Sequence, residues 1–101
     1  MVRWTRSARI TGGNFSQAAQ WAKEITEFIN KKYKIQVSVY MDSFGEWGTI
    51  RWFCDYTDLA ALEKLGSQLL ADREYLQKVN EGIPLLIPGS IFDTAMRALA
   101  V

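Results

Sequence analysis

The sequence predicts a single α+β domain with the element order β-α-β-β-α-β, in which helices cover one face of a four-stranded antiparallel sheet. Three observations predict this fold. The 101 residues suffice for one domain, so we assign residues 1–101 to it. Stretches with a period of two residues alternate with stretches of helical period. The two central β-rich stretches are joined by a short connection with glycine at both ends, as in a hairpin.

The first strand and helix are separated by a glycine turn. Residues 2–10 alternate small or apolar side chains with polar ones, which predicts a strand, and the turn at 11–13 ends it. Asn14 is expected to cap the following helix, with Gln17 reaching back as in a capping box. The helix should run to about Lys32. Its apolar stripe consists of Ala18, Ala22, Ile25 and Ile29, flanked by Trp21 and Phe28.

The central stretches predict a hairpin with a defined register. Residues 34–44 and 49–56 read as strands, connected by Gly45, Glu46, Trp47 and Gly48. Placing Gly45 opposite Gly48 brings apolar residues opposite apolar ones and acid opposite base. The predicted pairs are Met41 with Trp52, Val39 with Cys54, Asp42 with Arg51 and Tyr40 with Phe53.

The second half of the chain predicts two helices and a final strand. Acidic and capping residues at 55–58 precede a helix whose buried stripe should be Leu59, Leu62, Leu65 and Leu69. A short third helix starts after Asp72 and covers about 73–81. Residues 85–99 should form the last strand, bent at Pro88-Gly89. This order of elements is the ferredoxin-like arrangement.

The face of the sheet away from the helices predicts self-association. By the hairpin register this face carries aromatic side chains together with an acid and a base that we predict to form an ion pair. We expect the face to be too apolar to remain bare. A second copy of the chain covers it most simply, giving a homodimer. The alternative is a solvated face with scattered aromatics. The residues on this face are Ser38, Tyr40, Asp42, Phe44, Thr49, Arg51, Phe53 and Asp55.

Composition excludes several classes of function. The chain has one Cys and no His, so it cannot build a Cys/His metal site or a catalytic triad that uses His, and we expect no metal and no cofactor. The formal net charge of +1 disfavours a nucleic-acid partner. No apolar run approaches the roughly 18 residues that span a bilayer, and the N-terminus has no leader-like apolar region. These features predict a soluble, cytoplasmic protein without a membrane partner.

Several short segments carry a resemblance over nearly the whole chain. They are residues 21–25 in the first helix, 48–52 in the third strand, and 58–62 and 72–75 in the later helices. With the element order, they make the chain resemble the dimeric α+β barrel superfamily, in which two ferredoxin-like sheets face each other around a cavity. The resemblance implies that the sheet-face dimer forms an α+β barrel. Members of the superfamily include cofactor-free antibiotic-biosynthesis monooxygenases, small isomerases and haem-degrading enzymes, but the haem branches rely on a His that this chain lacks.

A cavity between two such sheets would be lined by Tyr40, Asp42, Arg51 and Phe53, which we therefore predict as the ligand-binding residues. The aromatic rings suit a planar apolar ligand, and the guanidinium suits an acidic oxygen. The alternative is that Arg51 only pairs with Asp42 and that the aromatic side chains only fill the dimer interface. For the enzymatic alternative, Asp42, Tyr40 and Asp55 are nominated by location alone, and the catalytic residues stay unassigned.

Other conspicuous residues have structural interpretations. Trp52 and Cys54 fall on the helix-covered face and are expected in the core. Trp47, at the hairpin tip, could reach a partner subunit or cover a cavity. Asp93 and Arg97 either contribute charge to an interface or point into solvent, and solvent is the expectation.

Two functions remain open at this stage. The first is a dimeric domain that binds a small apolar or aromatic ligand between the two sheets without catalysis. The alternative is a cofactor-independent monooxygenase-like or isomerase-like enzyme that acts on an aromatic or enolisable molecule. An RNA-recognition module shares the element order, but its aromatic strand motif matches residues 48–56 poorly.

Overall fold

The computed structural model describes residues 1–45 and 47–100 and has the predicted order of elements. In the described residues, one sheet has the strand order β2-β3-β1-β4, and every neighbouring pair is antiparallel. None of the described helices has the length and apolar character needed to cross a membrane. The elements are β1 (Val2–Arg9), α1 (Phe15–Tyr33), β2 (Ser38–Met41), β3 (Thr49–Tyr56), α2 (Leu59–Leu70), α3 (Arg73–Gly82), a 3-10 turn (Ile83–Leu85) and β4 (Phe92–Arg97).

The hydrophobic core lies between the sheet and the helices, on what we call the helix-covered face. Trp52 and Cys54 are buried there, as predicted. The indole N–H of Trp52 donates to the Thr26 hydroxyl at 3.0 Å, so the polar atom of this core tryptophan is satisfied. The other core residues come mainly from β1, α1 and β3: Ala8, Ile10, Ala18, Ala22, Ile25, Ile29, Val37, Ile50, Tyr75 and Leu86.

The predicted hairpin register is wrong by two residues. Tyr40 lies opposite Arg51 and Ser38 opposite Phe53. A shift by an even number leaves every side chain on its predicted face, so the pattern of faces could not distinguish the two registers. Gly45 and Gly48 both have positive φ, 91° and 84°, and lie in a connection longer than the predicted one.

The second strand is shorter than the predicted 34–44, because the chain leaves the ladder after Met41. Just beyond the end of β2, the Asp42 amide donates a hydrogen bond to the Thr49 carbonyl at 3.0 Å. At the other end, Lys34 adopts the left-handed conformation that closes α1, with φ of 56°. Glu46, which the sequence analysis places in the connection, lies outside the described residues.

The helix caps follow the backbone conformation of the capping residue. Asp58 and Asp72 are extended, and their carboxylates accept hydrogen bonds from the amides of Ala61 and Tyr75 at 2.8 and 3.1 Å. Asn14 occupies the corresponding position of α1, but its side chain makes no capping bond, contrary to prediction. Its φ and ψ of −113° and 20° depart from the extended conformation that directs a cap toward the helix.

In the second half of the chain, the last strand is shorter than predicted and the leucine stripe of α2 is less buried than predicted. The last strand is β4 alone, because Pro88 and Gly89 form a turn before it, and the preceding Leu86 makes only an isolated bridge to Ile10. In α2, Leu65 is buried, whereas Leu59 is 55% exposed. The apolar stripe of α2 is thus only partly covered by the sheet.

Candidate functional site

The four predicted ligand-binding residues lie together on the open face, the side of the sheet away from the helices. They line a hollow of about 560 Å³, which we call the sheet-face hollow. Arg51 donates from Nε and Nη2 to the two Asp42 oxygens at 2.8 and 3.0 Å, and this hydrogen-bonded pair holds the pKa of Asp42 below its ordinary value. The rings of Tyr40 and Phe53 meet edge to face with centroids 5.7 Å apart.

A second ion pair, missed by the sequence analysis, borders the same hollow. Arg3 donates to both carboxylate oxygens of Asp55 at 2.8 and 3.0 Å, across neighbouring positions of β1 and β3. The hydrogen bond from Arg3 lowers the pKa of Asp55. The pairing of β1 with β3 joins strands far apart in sequence, so only a prediction of the sheet register could have brought these two residues together.

A second and more apolar space lies on the opposite side of the sheet, between the strands and the three helices. This space, the helix-side cavity, has a volume of about 600 Å³. The helix α2 contributes Leu62, Leu65 and Leu69 to its wall, and of these three leucines Leu65 is buried. Its aromatic lining consists of Trp4, Trp21, Trp52, Tyr56 and Tyr75.

One polar cluster interrupts this apolar lining. Arg6 and Asp93 are opposite residues of β1 and β4, and the guanidinium donates to both carboxylate oxygens at 2.7 and 2.8 Å. The Trp4 indole N–H also points at Asp93, at 3.4 Å. The nearby Tyr75 side chain makes a small further contribution to the raised pKa of Arg6. A few converging polar groups in an apolar cavity are typical of a small-molecule site.

The charges of the cluster stabilise each other. Burial raises the pKa of Asp93, but the hydrogen bond and positive charge of Arg6, with the Trp4 indole, outweigh burial, and the pKa lies below its ordinary value. The sequence analysis expected Asp93 in solvent. That expectation is corrected in part, since the side chain is half-exposed but bonded to Arg6, whereas Arg97 is exposed.

The aromatic wall of the cavity is held by Trp21. Its indole N–H donates to the carbonyl of Lys78 in α3 at 2.7 Å, and its ring meets that of Trp52 edge to face at 6.0 Å. Gly82 permits this packing, because a Cβ atom there would lie 1.9 Å from the Trp21 ring. Trp21 therefore joins α1 to α3 while presenting its ring to the cavity.

The remaining candidates are Trp47, which lines neither space, and Cys54, which lines part of the sheet-face hollow. Trp47 is 68% exposed and packs on Phe15, with ring centroids 4.3 Å apart. Burial raises the pKa of the Cys54 thiol, which makes it a poor nucleophile at neutral pH. In the part of the chain that the structure describes, no three His, Cys, Asp or Glu side chains are grouped as a metal site would require.

Comparison with solved structures shows the fold. A NIPSNAP domain protein from Burkholderia xenovorans matches with a TM-score of 0.84 and 17% identity, covering 99% of this chain and 96% of the other. An antibiotic biosynthesis monooxygenase matches with a TM-score of 0.74 and 14% identity, over 99% and 100% of the two chains. SnoaB, a cofactor-independent oxygenase from Streptomyces nogalater, matches with a TM-score of 0.72 and 11% identity, over 99% and 94%.

These likenesses confirm the predicted ferredoxin-like fold. At such low identity they carry no information about activity. No protein-family model and no curated protein sequence matches the chain.

Proposed function

We propose that this chain binds a small, predominantly aromatic molecule in the helix-side cavity. The observation that carries the proposal is an apolar space of about 600 Å³ with one polar cluster, Arg6 and Asp93, in its wall. Cavities of this size accommodate ligands with several rings. Trp4 and Trp52 offer flat or edge-on contacts to such rings, and the cluster offers hydrogen bonds to one oxygen of the ligand.

The charge state of the cluster favours a neutral ligand. Arg6 is already neutralised by the two oxygens of Asp93, so a ligand carboxylate would have to compete with a bidentate ion pair. A phenolic or carbonyl oxygen would need no such exchange. We therefore expect affinity for a naphthol to exceed affinity for the matching naphthoate.

Binding without catalysis is the better-supported version of this proposal. Asp93 is the acidic side chain of the cluster, and its lowered pKa makes it a weak base. The enzymatic alternative draws on the fold, since SnoaB is a cofactor-independent oxygenase with the same fold. Oxygen uptake above the buffer rate with 1,4-dihydroxynaphthalene would favour that alternative.

The sheet-face hollow is the second candidate for the ligand site. It unites Tyr40, Asp42, Arg51 and Phe53, and a second copy of the chain facing it would enclose it. We propose the same face as the interface of a homodimer, because aromatic side chains and mutually paired charges on one surface suit a self-complementary contact.

Calorimetric titration with 2-naphthol tests which space binds the ligand. Ala95→Trp places an indole in the helix-side cavity from the exposed edge strand β4, and Ser38→Trp places one in the sheet-face hollow from the exposed edge strand β2. We expect Ala95→Trp to weaken binding at least about tenfold, since overlap with a rigid ring is costly. Ser38→Trp should change it less than about twofold.

The two variants have matched side chains on opposite faces of the sheet, so each controls for the other. Loss of binding in Ser38→Trp alone would indicate that the ligand binds in the sheet-face hollow. If the unsubstituted chain gives no heat of binding with either 2-naphthol or 1-hydroxypyrene, the proposal that the helix-side cavity binds aromatic molecules is overturned.

A further inference from the structure

Gly66 occupies the interior of α2, where glycine is normally unfavourable. Other glycines have visible structural reasons: Gly82 lies against Trp21, and Gly48 combines a positive φ with close contact to Phe15. Neither reason applies to Gly66. Its φ is not in the positive range, and a Cβ atom built on it has no heavy atom within 4 Å outside the local helix backbone.

The position of Gly66 connects it to the helix-side cavity. Gly66 lines that cavity, and so do Leu62, four residues before it, and Leu69, three residues after it. Residues at these spacings share one side of a helix. The missing side chain therefore leaves space on the cavity side of α2, and any larger residue would occupy part of that space.

We infer that Gly66 determines the size of ligand that the cavity accepts. The inference rests on the proposed function of the cavity. With no side chain at 66, the ring system of a ligand can approach the backbone of α2 between Leu62 and Leu69. A side chain added to the wall of a rigid cavity excludes large ligands more strongly than small ones, because a closely packed wall adjusts little.

The test uses two neutral probes that share a hydroxyl but differ in size, 2-naphthol and 1-hydroxypyrene, titrated calorimetrically. We expect Gly66→Val to weaken binding of 1-hydroxypyrene at least about tenfold and that of 2-naphthol less than about threefold. Gly66→Ala should show the same preference more weakly. Ser67→Val is the matched control, because Ser67 is exposed on the same helix and does not line the cavity.

Gly66→Ala separates ligand size from stability. Alanine favours the helix and meets no neighbour at this position, so the melting temperature should rise by about 4–8 °C while the affinity for 1-hydroxypyrene falls. Equal losses for the two probes, or equal losses in Gly66→Val and Ser67→Val, would overturn the role of Gly66. If the unsubstituted chain binds neither probe, the proposed function fails together with this inference; if it binds both and the variants do not discriminate, only the inference fails.

Discussion

At the scale of single residues, Gly82 and Trp21 form a contact that leaves no room for a side chain at position 82. A Cβ atom at 82 would lie 1.9–2.3 Å from three atoms of the Trp21 ring, and the ring is fixed by its hydrogen bond to the Lys78 carbonyl. The ring cannot move aside without breaking that bond. The usual gain from replacing a helical glycine by alanine is therefore outweighed by overlap.

We expect Gly82→Ala to lower the free energy of unfolding by about 1–3 kcal/mol, measured by denaturant titration. Glu81→Ala is the control, since Glu81 is the exposed preceding residue of the same helix. An unchanged or increased stability of Gly82→Ala would show that Trp21 has another accessible position.

The Arg6 and Asp93 pair gives a prediction about ligand charge. Asp93→Asn removes the negative charge that neutralises Arg6, so the wall of the helix-side cavity becomes cationic. We expect the affinity for 2-naphthoate to rise about tenfold and that for 2-naphthol to change less than about twofold. Asp55→Asn makes the same charge change on the open face and should leave both affinities unaltered. Equal gains in the two variants would indicate a general effect of net charge.

At the scale of elements, α1 and α3 are joined by the carboxylate of Asp72. It accepts from the Tyr33 hydroxyl at 2.5 Å and from the Tyr75 amide at 3.1 Å, and it lies 2.8 Å from the Lys32 ammonium nitrogen. The hydrogen bond from Lys32, with those from Tyr33 and Tyr75, holds the pKa of Asp72 far below its ordinary value. The end of one helix and the start of another thus depend on an ionised carboxylate.

The ionised carboxylate of Asp72 predicts that the folded chain loses stability in acid. The pKa of Asp72 is lower in the folded chain than in the unfolded one, where it is about 4, so the stabilisation is fully present above pH 4 and is lost as the pH falls further. We expect Asp72→Asn to be less stable than the unsubstituted chain at pH 6. The two stabilities should converge as the pH falls from 5 to 3, measured by urea titration.

Lys32→Met retains the carboxylate but removes its cation, so its stability should depend less steeply on pH than that of the unsubstituted chain over the same range. A constant difference in stability between Asp72→Asn and the unsubstituted chain from pH 6 to pH 3 would contradict the predicted linkage.

The elements also show what could be predicted from the sequence. Period-two alternation identified the face of each residue in β2 and β3, because side-chain direction is a local property. The predicted register was wrong, because the register depends on the conformation of the connection between the two strands. A shift of the pairing by an even number of residues leaves every side chain on the same face. The leucine spacing of α2 identified its apolar stripe but not its distance from the sheet, so the helix-side cavity and the pairing of Arg6 with Asp93 across β1 and β4 were not foreseen.

At the scale of the whole molecule, the open face carries an apolar surface that spans the sheet. Tyr40, Phe92 and Met96 are 62%, 68% and 47% exposed, and the strand registers place all three on this face. The ion pairs of Arg3 with Asp55 and of Arg51 with Asp42 lie among them. Because Arg3 and Arg51 each have an acidic neighbour on this surface, these two guanidinium groups would add little net repulsion when a second copy approaches by a two-fold rotation.

The homodimer proposed on this basis predicts a sedimentation-equilibrium mass of twice the 11.5 kDa of the chain at micromolar concentration. Tyr40→Glu puts a charge in the proposed interface at a side chain already exposed in the single chain, so the fold should survive while the mass falls to that of a monomer. Leu70→Glu introduces the same charge at a 73% exposed position of α2 and should remain dimeric. A monomeric mass for the unsubstituted chain would contradict the proposed homodimer and would mean that the open face is exposed to solvent. If both variants stay dimeric, another surface holds the two copies together, and the sheet-face hollow loses the partner that would enclose it.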